Sequence, residues 1–270
     1  MIRLPRLFKK DTRTIEERLL AGGRKSLSKS KTTSVIFFTT WKCGSVITDQ
    51  IFKRLSRSLN IVPVDFQTYL EYNADQPFEK LKEEKFLNSC FPETGFLFGP
   101  FKLFINIPNL HRYKVIIQLR DPRDVLTSMY YSFAYSHPEI HDDARNKRKE
   151  FQVSDVNTIA LKYAPEFLAK SYSPYMQLLK NNDNILFVKY EEMVTNFESW
   201  LEKVSGYLDI NLSKEAKDQI LKIADFRVDG ENVHSHKRSV QPGNHKKHLT
   251  EATIAQLNNI FADVNSFYGY

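Results

Sequence analysis

The chain has 270 residues, of which 41% are hydrophobic and 26% are charged. This length is enough for one large α/β domain with a substantial core. No stretch of the sequence approaches the roughly 20 consecutive apolar residues that span a bilayer. We therefore predict no membrane insertion and a cytoplasmic location.

The net charge of +7 is concentrated at the amino terminus. Residues 1–31 contain ten Lys/Arg and three Asp/Glu, and the remaining chain is balanced between the two signs. A binder of nucleic acid or another anionic polymer is disfavoured, because basic and aromatic residues do not alternate in the body. We predict a basic arm over residues 1–31, loosely docked on one domain over residues 32–270. The apolar residues of the arm leave open that it covers a patch on that domain.

Short apolar runs alternate with helical patterns along the body. Residues 34–39 predict a buried strand, and an apolar residue then recurs every fourth position from Ile47 to Leu55, as on one face of a helix. Residues 114–119 and 185–190 predict two further strands, each followed by a helix. This alternation indicates an α/β fold: a single domain with a central parallel sheet flanked by helices.

The polar segments, the cysteines and the absence of metal-binding motifs give three further predictions. Residues 24–34 are polar and predict a linker, and the charged residues 136–157 predict an insertion or lid. Cys43 and Cys90 are expected to stay reduced. Because no CxxC or HExxH motif occurs, we predict no metal.

The first candidate site is the segment TTWKCGS, between the first strand and its helix. A turn here exposes backbone N–H groups at the positive end of a helix dipole, where anions bind. Gly44 permits close approach, Ser45 offers a hydroxyl and Lys42 a mobile charge. The nucleoside-triphosphatase pattern GxxxxGK[ST] is absent, which disfavours a P-loop kinase. From these residues alone, a phosphate site and an ordinary surface lysine both stay open.

The second candidate site is the segment RDPRDVLTS, after the second strand. Asp121 is a natural N-cap, Pro122 suits the first helical position, and Asp124 completes a capping box. Arg120 falls at the carboxyl end of a parallel strand, where α/β sheets bind ligands, and Ser128 lies two helical turns on. An arginine fork with a hydroxyl suits a phosphate. Pairing of Arg120 with Asp121 or Asp124 is the alternative.

Together these segments resemble the sulfotransferases that use 3′-phosphoadenosine 5′-phosphosulfate (PAPS). Thr39–Ile47 is similar to the family's TYPKSGTTW loop for the 5′-phosphosulfate, and Arg120–Ser128 to its R-[ND]-P-[KR]-D-V segment for the 3′-phosphate. Lys189–Met193 resembles the family's RYEDM strand end. Arg238–Lys246 resembles its RKGxxGDWK loop, and the chain ends in Gly-Tyr, as many members do.

The resemblance implies a P-loop-like sulfotransferase fold. It also implies transfer of a sulfuryl group from PAPS to a hydroxyl or amine of a small-molecule acceptor, with release of PAP. Natural-product tailoring, as in a saxitoxin-type pathway, is one candidate role. Lys42 would contact the bridging oxygen and the sulfate. The other implied nucleotide contacts are Cys43, Gly44, Ser45 and Val46 at the 5′-phosphate, Arg120, Ser128, Arg238 and Ser239 at the 3′-phosphate, and Tyr190 and Phe226 at the adenine.

The sequence also departs from the family pattern. Ile47 replaces the tryptophan that stacks on adenine, and Ser239-Val240 replaces a Lys-Gly pair. Residues 96–102 contain no histidine, although cytosolic members carry a catalytic histidine there in a KTHLP segment. The nucleotide half of the site therefore has more support from the sequence than the base that takes the acceptor's proton.

Four residues are candidates for that base, since carboxylates can replace histidine in this role. We favour Asp65, which follows a short apolar run after the first helix, and the others are Glu93, His111 and His137. The acceptor's identity and the oligomeric state are not readable from the sequence.

Overall fold

The chain is described by a computed structural model over residues 13–22, 27–73, 77–138, 142–226 and 239–270. Within these ranges no helix is both long and apolar enough to cross a membrane. The Arg238 prediction falls outside them.

The centre of the molecule is a five-stranded sheet in which every neighbouring pair is parallel. The strands are β1 (Val35–Thr39), β2 (Val62–Val64), β3 (Phe96–Phe101), β4 (Lys114–Leu119) and β5 (Ile185–Lys189). Their order across the sheet is β2-β3-β1-β4-β5. The predicted α/β fold with a central parallel sheet is confirmed.

Helices surround this sheet on both faces. In chain order they are α1 (Ile15–Leu20), α2 (Ser45–Ser58), α3 (Phe66–Asn73), α4 (Pro77–Lys80), α5 (Glu84–Ser89), α6 (Pro122–Tyr131), α7 (Asp142–Val153), α8 (Val156–Phe167), α9 (Ser173–Lys180), α10 (Tyr190–Thr195), α11 (Phe197–Tyr207), α12 (Lys214–Ile223), α13 (His245–His248), α14 (Glu251–Ile260) and α15 (Ala262–Tyr268). Two π-helical turns, Ser132–Ser136 and Leu168–Tyr172, extend α6 and α8.

The central strand β1 shows why the sheet needs two helical layers. All five of its residues are buried, and successive side chains point to opposite faces. Phe37 stacks on Phe52 of α2 with ring centroids 4.3 Å apart. Phe38 lies 5.6 Å from the ring of Tyr175 on α9, in the other layer. Both faces are therefore closed, and the carboxyl ends of the strands are left for a site.

Gly99 in β3 allows an unusually close approach of two strands. A Cβ at this position would lie 2.4 Å from the carbonyl oxygen of Phe37, and its φ is +120°. The pairing of β1 with β3 shifts register at this point. Only glycine fits here, and the close packing holds the carboxyl end of β3 beside that of β1.

The described part of the basic arm packs firmly on the body. Leu19 of α1 is fully buried. Glu17 accepts a hydrogen bond from the Tyr69 hydroxyl at 3.2 Å, and Glu16 accepts one from the Asp65 N–H at 3.1 Å. The expectation of a loosely docked arm is wrong for residues 13–22, because α1 covers an apolar patch beside α3. The boundary at residue 31 stays a prediction.

The described residues of the two polar segments are more ordered than their composition indicates. In the first, Leu27 is buried and Thr33 pairs with Thr94 in an antiparallel bridge. The second contains α7, whose Phe151 is buried 5.4 Å from the ring of Phe133. The predicted insertion is thus a helix docked on the π-helical turn after α6.

Candidate active site

A cavity of about 680 Å³ opens at the carboxyl ends of the strands. The segments that follow β1, β3, β4 and β5 all contribute to it, because parallel strands end at the same edge. The lining includes these residues predicted from the sequence: Lys42, Gly44, Ser45, Val46, Arg120, Ser128, Tyr190, Phe226 and Ser239. Segments far apart in the chain therefore meet around one space.

The turn after β1 borders the cavity with the amino end of α2. Lys42 and Gly44 both have left-handed backbone conformations, with φ of 63° and 73°. A Cβ at Gly44 would lie 3.0 Å from the Tyr190 ring. The first turn of α2 has no side-chain cap and no acidic residue, unlike α6, which Asp121 caps. An open amino end with an adjacent lysine has the charge and the free N–H groups that suit an anion.

The guanidinium of Arg120 is the buried cation of the cavity. Its Nη1 donates to the Lys42 carbonyl at 3.2 Å, and its Nη2 lies 3.4 Å from Asp124. The group stacks on the Tyr190 ring, 4.4 Å from the centroid. Its Nε has no hydrogen-bond partner among the described residues. The fork is thus held in place but keeps unused donor capacity, as an anion site requires.

Asp124 joins helix α6 to the segment before α13. Its buried carboxylate accepts from the N–H groups of Gly243 and His245, both at 2.8 Å, and contacts His245 Nδ1 at 2.7 Å. Burial alone would raise its pKa, but the His245 hydrogen bonds and the Arg120 charge lower it to about 2. The predicted capping box is wrong, because this carboxylate points to His245 rather than back to the N-cap; Asp121 is the cap, as predicted.

Tyr190 packs against the turn that contains Gly44. Its hydroxyl donates to the Val240 carbonyl at 2.9 Å, and burial raises its pKa, so the phenol stays protonated. Ser239 and Val240 reach the cavity on this anchored segment. The role of Tyr190 beside an adenine stays a prediction.

Phe226 and Cys43 are two further residues that the sequence analysis predicts to contact the nucleotide. Phe226 lines the cavity 5.7 Å from the ring of Phe197 and offers a flat apolar surface. The Cys43 side chain is fully buried in the core. Its sulfur lies 2.9 Å from the Thr40 hydroxyl, and burial raises its pKa to about 11. The predicted ligand contact of Cys43 is therefore limited to its backbone.

Of the four candidate bases, the structure brings only His137 into the lining. Asp65 instead accepts a hydrogen bond from the Thr68 N–H at 2.9 Å, as a cap for α3, so the geometry gives no support to its predicted catalytic role. Glu93 and His111 precede β3 and β4 and therefore lie at the opposite edge of the sheet. Glu93 forms an ion pair with Arg112 at 2.6 Å.

Comparison with known proteins places the chain in a family. The sequence model of the sulfotransferase domain matches residues 100–267, which is more than half of the chain. The chain belongs to the sulfotransferase family. An amine sulfotransferase of Oryctolagus cuniculus is 25% identical over 198 residues, 71% of this chain and 61% of the relative. Sulfotransferase 2A6 of Mus musculus is 24% identical over 173 residues, 56% of this chain and 55% of the relative.

The chain thus spans between about half and three fifths of the length of these curated relatives. Its fold is also that of a sulfotransferase. The crystal structure of mouse sulfotransferase SULT7A1 complexed with PAP has a TM-score of 0.60 and 15% identity. The match covers 93% of this chain and 87% of that chain.

The cavity also has lining residues that sequence reasoning missed. Lys102 follows the carboxyl end of β3, and its Nζ lies 5.1 Å above the ring of Trp41. Its backbone N–H donates to Gln67 at 2.6 Å. The other missed lining residues with titratable side chains are Glu71, Tyr72, Tyr131 and Asp225. The apolar run over residues 96–101 is the signal that points to Lys102, once it is recognised as a strand.

Proposed function

We propose that this chain transfers a sulfuryl group from PAPS to a hydroxyl or amine of a small-molecule acceptor and releases PAP. The proposal rests on one observation above all. Two features suited to anions line the cavity, the Lys42 turn with the amino end of α2 and the Arg120 fork with Ser128, and a hydrogen bond from Arg120 to the Lys42 carbonyl joins them. A nucleotide that carries phosphate at both its 5′ and 3′ positions matches such a pair.

The residues of the cavity fit that nucleotide chemically. Arg120 Nε is a buried donor that is unpaired within the described ranges, and leaving such a donor unsatisfied costs about 1–3 kcal/mol. A phosphate oxygen would remove this cost. The turn before α2 can admit a phosphate closely, since Gly44 has no side chain and a Cβ there would press on Tyr190.

For transfer, the acceptor's oxygen or nitrogen forms a bond to sulfur, while the bond from sulfur to the bridging phosphate oxygen breaks. Lys42 and the amino end of α2 would stabilise the negative charge that develops on the departing phosphate. The rigid strand ends hold both partners in register, which is the larger part of such catalysis.

The acceptor would occupy the part of the cavity bounded by Trp41, Tyr72, Lys102 and Tyr131, beyond Lys42. This part contains aromatic surface with a few polar groups, as is typical of small-molecule sites. An amine acceptor is included because one curated relative is named an amine sulfotransferase. Cys43 and Cys90 are buried thiols that form no disulfide, which suits a reducing compartment such as the cytoplasm.

A transfer assay tests the proposal directly. The purified chain is incubated with PAPS and, in separate reactions, with phenol, 4-nitrophenol, cyclohexanol or benzylamine, and PAP is quantified by chromatography. We expect at least one acceptor to raise PAP release well above the rate without acceptor. If no acceptor does so, while ATP with Mg²⁺ yields ADP with the same panel, the chain is a kinase and the proposal is wrong.

A further inference from the structure

Transfer to a hydroxyl or amine requires a group that takes the acceptor's proton. Such a group must reach the reacting atom directly or through one water, and its pKa should lie near the working pH. The proposed function therefore makes a specific demand on the acceptor side of the cavity. The question is which lining residue meets it.

Most titratable side chains of the cavity are unsuitable as bases. Lysine and arginine side chains are ordinarily protonated at neutral pH, which leaves Lys42, Lys102 and Arg120 as sources of positive charge. The Tyr190 phenol already donates its proton to the Val240 carbonyl. Asp225 lies beside Phe226 in the nucleotide half. Among the carboxylate and histidine side chains of the described lining this leaves Glu71 and His137 as principal candidates.

Of these two, the imidazole is better matched to neutral chemistry, since histidine ordinarily titrates near neutrality. His137 is also held in a defined place. Its backbone N–H donates to the Ser132 carbonyl at 2.7 Å and closes the π-helical turn after α6. Its ring lies 4.5 Å from the ring of Phe133.

A second element fixes the same turn from outside. Arg148 of α7 donates to the carbonyl of His137 and, at 3.4 Å, to that of Phe133. Lys147 lies 5.4 Å above the Phe133 ring. The charged groups around His137 are thus Arg148 and Lys147 from α7, with Glu71 and Lys102 lining the same cavity. The docked helix α7 thus holds the backbone of His137 and the Phe133 ring beside it, rather than covering the site as a loose lid.

We propose that His137 is the proton acceptor of this sulfotransferase, an inference that rests on the proposed function. As the acceptor's oxygen or nitrogen bonds to sulfur, an imidazole nitrogen takes its proton. The electron pair of the broken S–O bond leaves with PAP beside Lys42. The base thus comes from the π-helical turn after α6 and not from the segment at the end of β3, where Lys102 stands.

The test compares His137→Gln with the wild type, because glutamine keeps the size and polarity of the side chain but cannot take a proton. We expect kcat with phenol to fall by about 100-fold or more, with an unchanged melting shift on addition of PAP. With 4-nitrophenol, which ionises near neutral pH, the loss should be much smaller. The wild-type kcat/KM should rise with pH through the imidazole titration, and the variant should lack this step.

His111→Gln is the matched control, since His111 is exposed and precedes β4 at the far edge of the sheet. It should change none of these readings. If His137→Gln retains turnover and the pH step, or loses activity equally with both phenols, the assignment is wrong. If Glu71→Gln instead shows the difference between the phenols, the base is Glu71. If none of the acceptors raises PAP release by the wild type, the proposed function itself is wrong, and this assignment is wrong with it.

Discussion

Replacing Arg120 with alanine should weaken PAP binding on the order of 100-fold or more. The fork is buried and held by the Lys42 carbonyl, Asp124 and the Tyr190 ring, so it is preorganised for a phosphate. Each charged hydrogen bond that is lost contributes about 1.5–3 kcal/mol, and about 1.4 kcal/mol corresponds to a tenfold change in Kd. Calorimetric titration with PAP measures the effect.

Two further variants make this measurement specific. Arg120→Lys keeps the positive charge but loses the planar fork, so it should bind PAP more tightly than Arg120→Ala and less tightly than the wild type. Its residual binding also shows whether the protein still folds when Arg120 is replaced. Arg123→Ala removes an arginine of the same segment that pairs with Asp121 at 2.6 Å and does not line the cavity. It should bind PAP as the wild type does. Wild-type affinity in Arg120→Ala would remove this residue from the nucleotide site.

Replacing Lys42 with methionine should lower kcat by about 100- to 1000-fold, the loss typical when one group that stabilises transition-state charge is removed. PAP affinity should change far less, because Lys42 would act mainly on charge that develops during transfer. Methionine keeps most of the length of the side chain without its charge. Steady-state kinetics with PAPS, together with PAP titration, separate the two effects.

Lys102→Met is the comparison, since Lys102 is a second lysine of the same cavity, stacked above Trp41. We expect it to alter KM for the acceptor more than kcat. If Lys102→Met instead loses turnover and Lys42→Met does not, the charge on the leaving oxygen is stabilised by Lys102 after β3 rather than by Lys42 in the turn after β1.

The sequence pattern predicted three of the five strands well, and the two it missed have a physical reason. The runs in β1, β4 and β5 are apolar and rich in β-branched and aromatic residues, as buried parallel strands are. β2 has only three residues and contains Pro63, which an edge strand tolerates. β3 contains Gly99-Pro100, a pair that reads as a turn until the close approach to Phe37 is known.

Much of the candidate nucleotide site was predictable for a topological reason. Arg120 and Tyr190 directly follow a strand and Lys42 follows β1 by three residues, so parallel pairing alone brings them to one edge. Lys102 follows a strand in the same way, but it was missed together with β3. Glu71 and Tyr131 come from helices whose approach to this edge depends on tertiary packing, which local pattern does not encode.

Composition and local spacing did not predict how two charged segments, the basic arm and the segment around Asp124, contact the rest of the molecule. The arm is strongly basic as a whole, yet Leu19 fills an apolar site and two glutamates of α1 bond to the body. Asp124 fits a capping box by spacing, but its partner Gly243 and the ring of His245 lie about 120 residues away in the chain. Long-range partners of this kind outcompete a local cap and cannot be read from spacing.

The most direct test of the central claim is a comparison of three nucleotides on the wild-type chain. PAP, adenosine 5′-monophosphate and ATP with Mg²⁺ are titrated separately, with melting temperature and calorimetry as readouts. If the Arg120 fork and the Lys42 turn each bind one phosphate, PAP should bind on the order of 100-fold more tightly than the monophosphate and should stabilise the fold most. Stabilisation by ATP with Mg²⁺ equal to or above that by PAP would contradict the account.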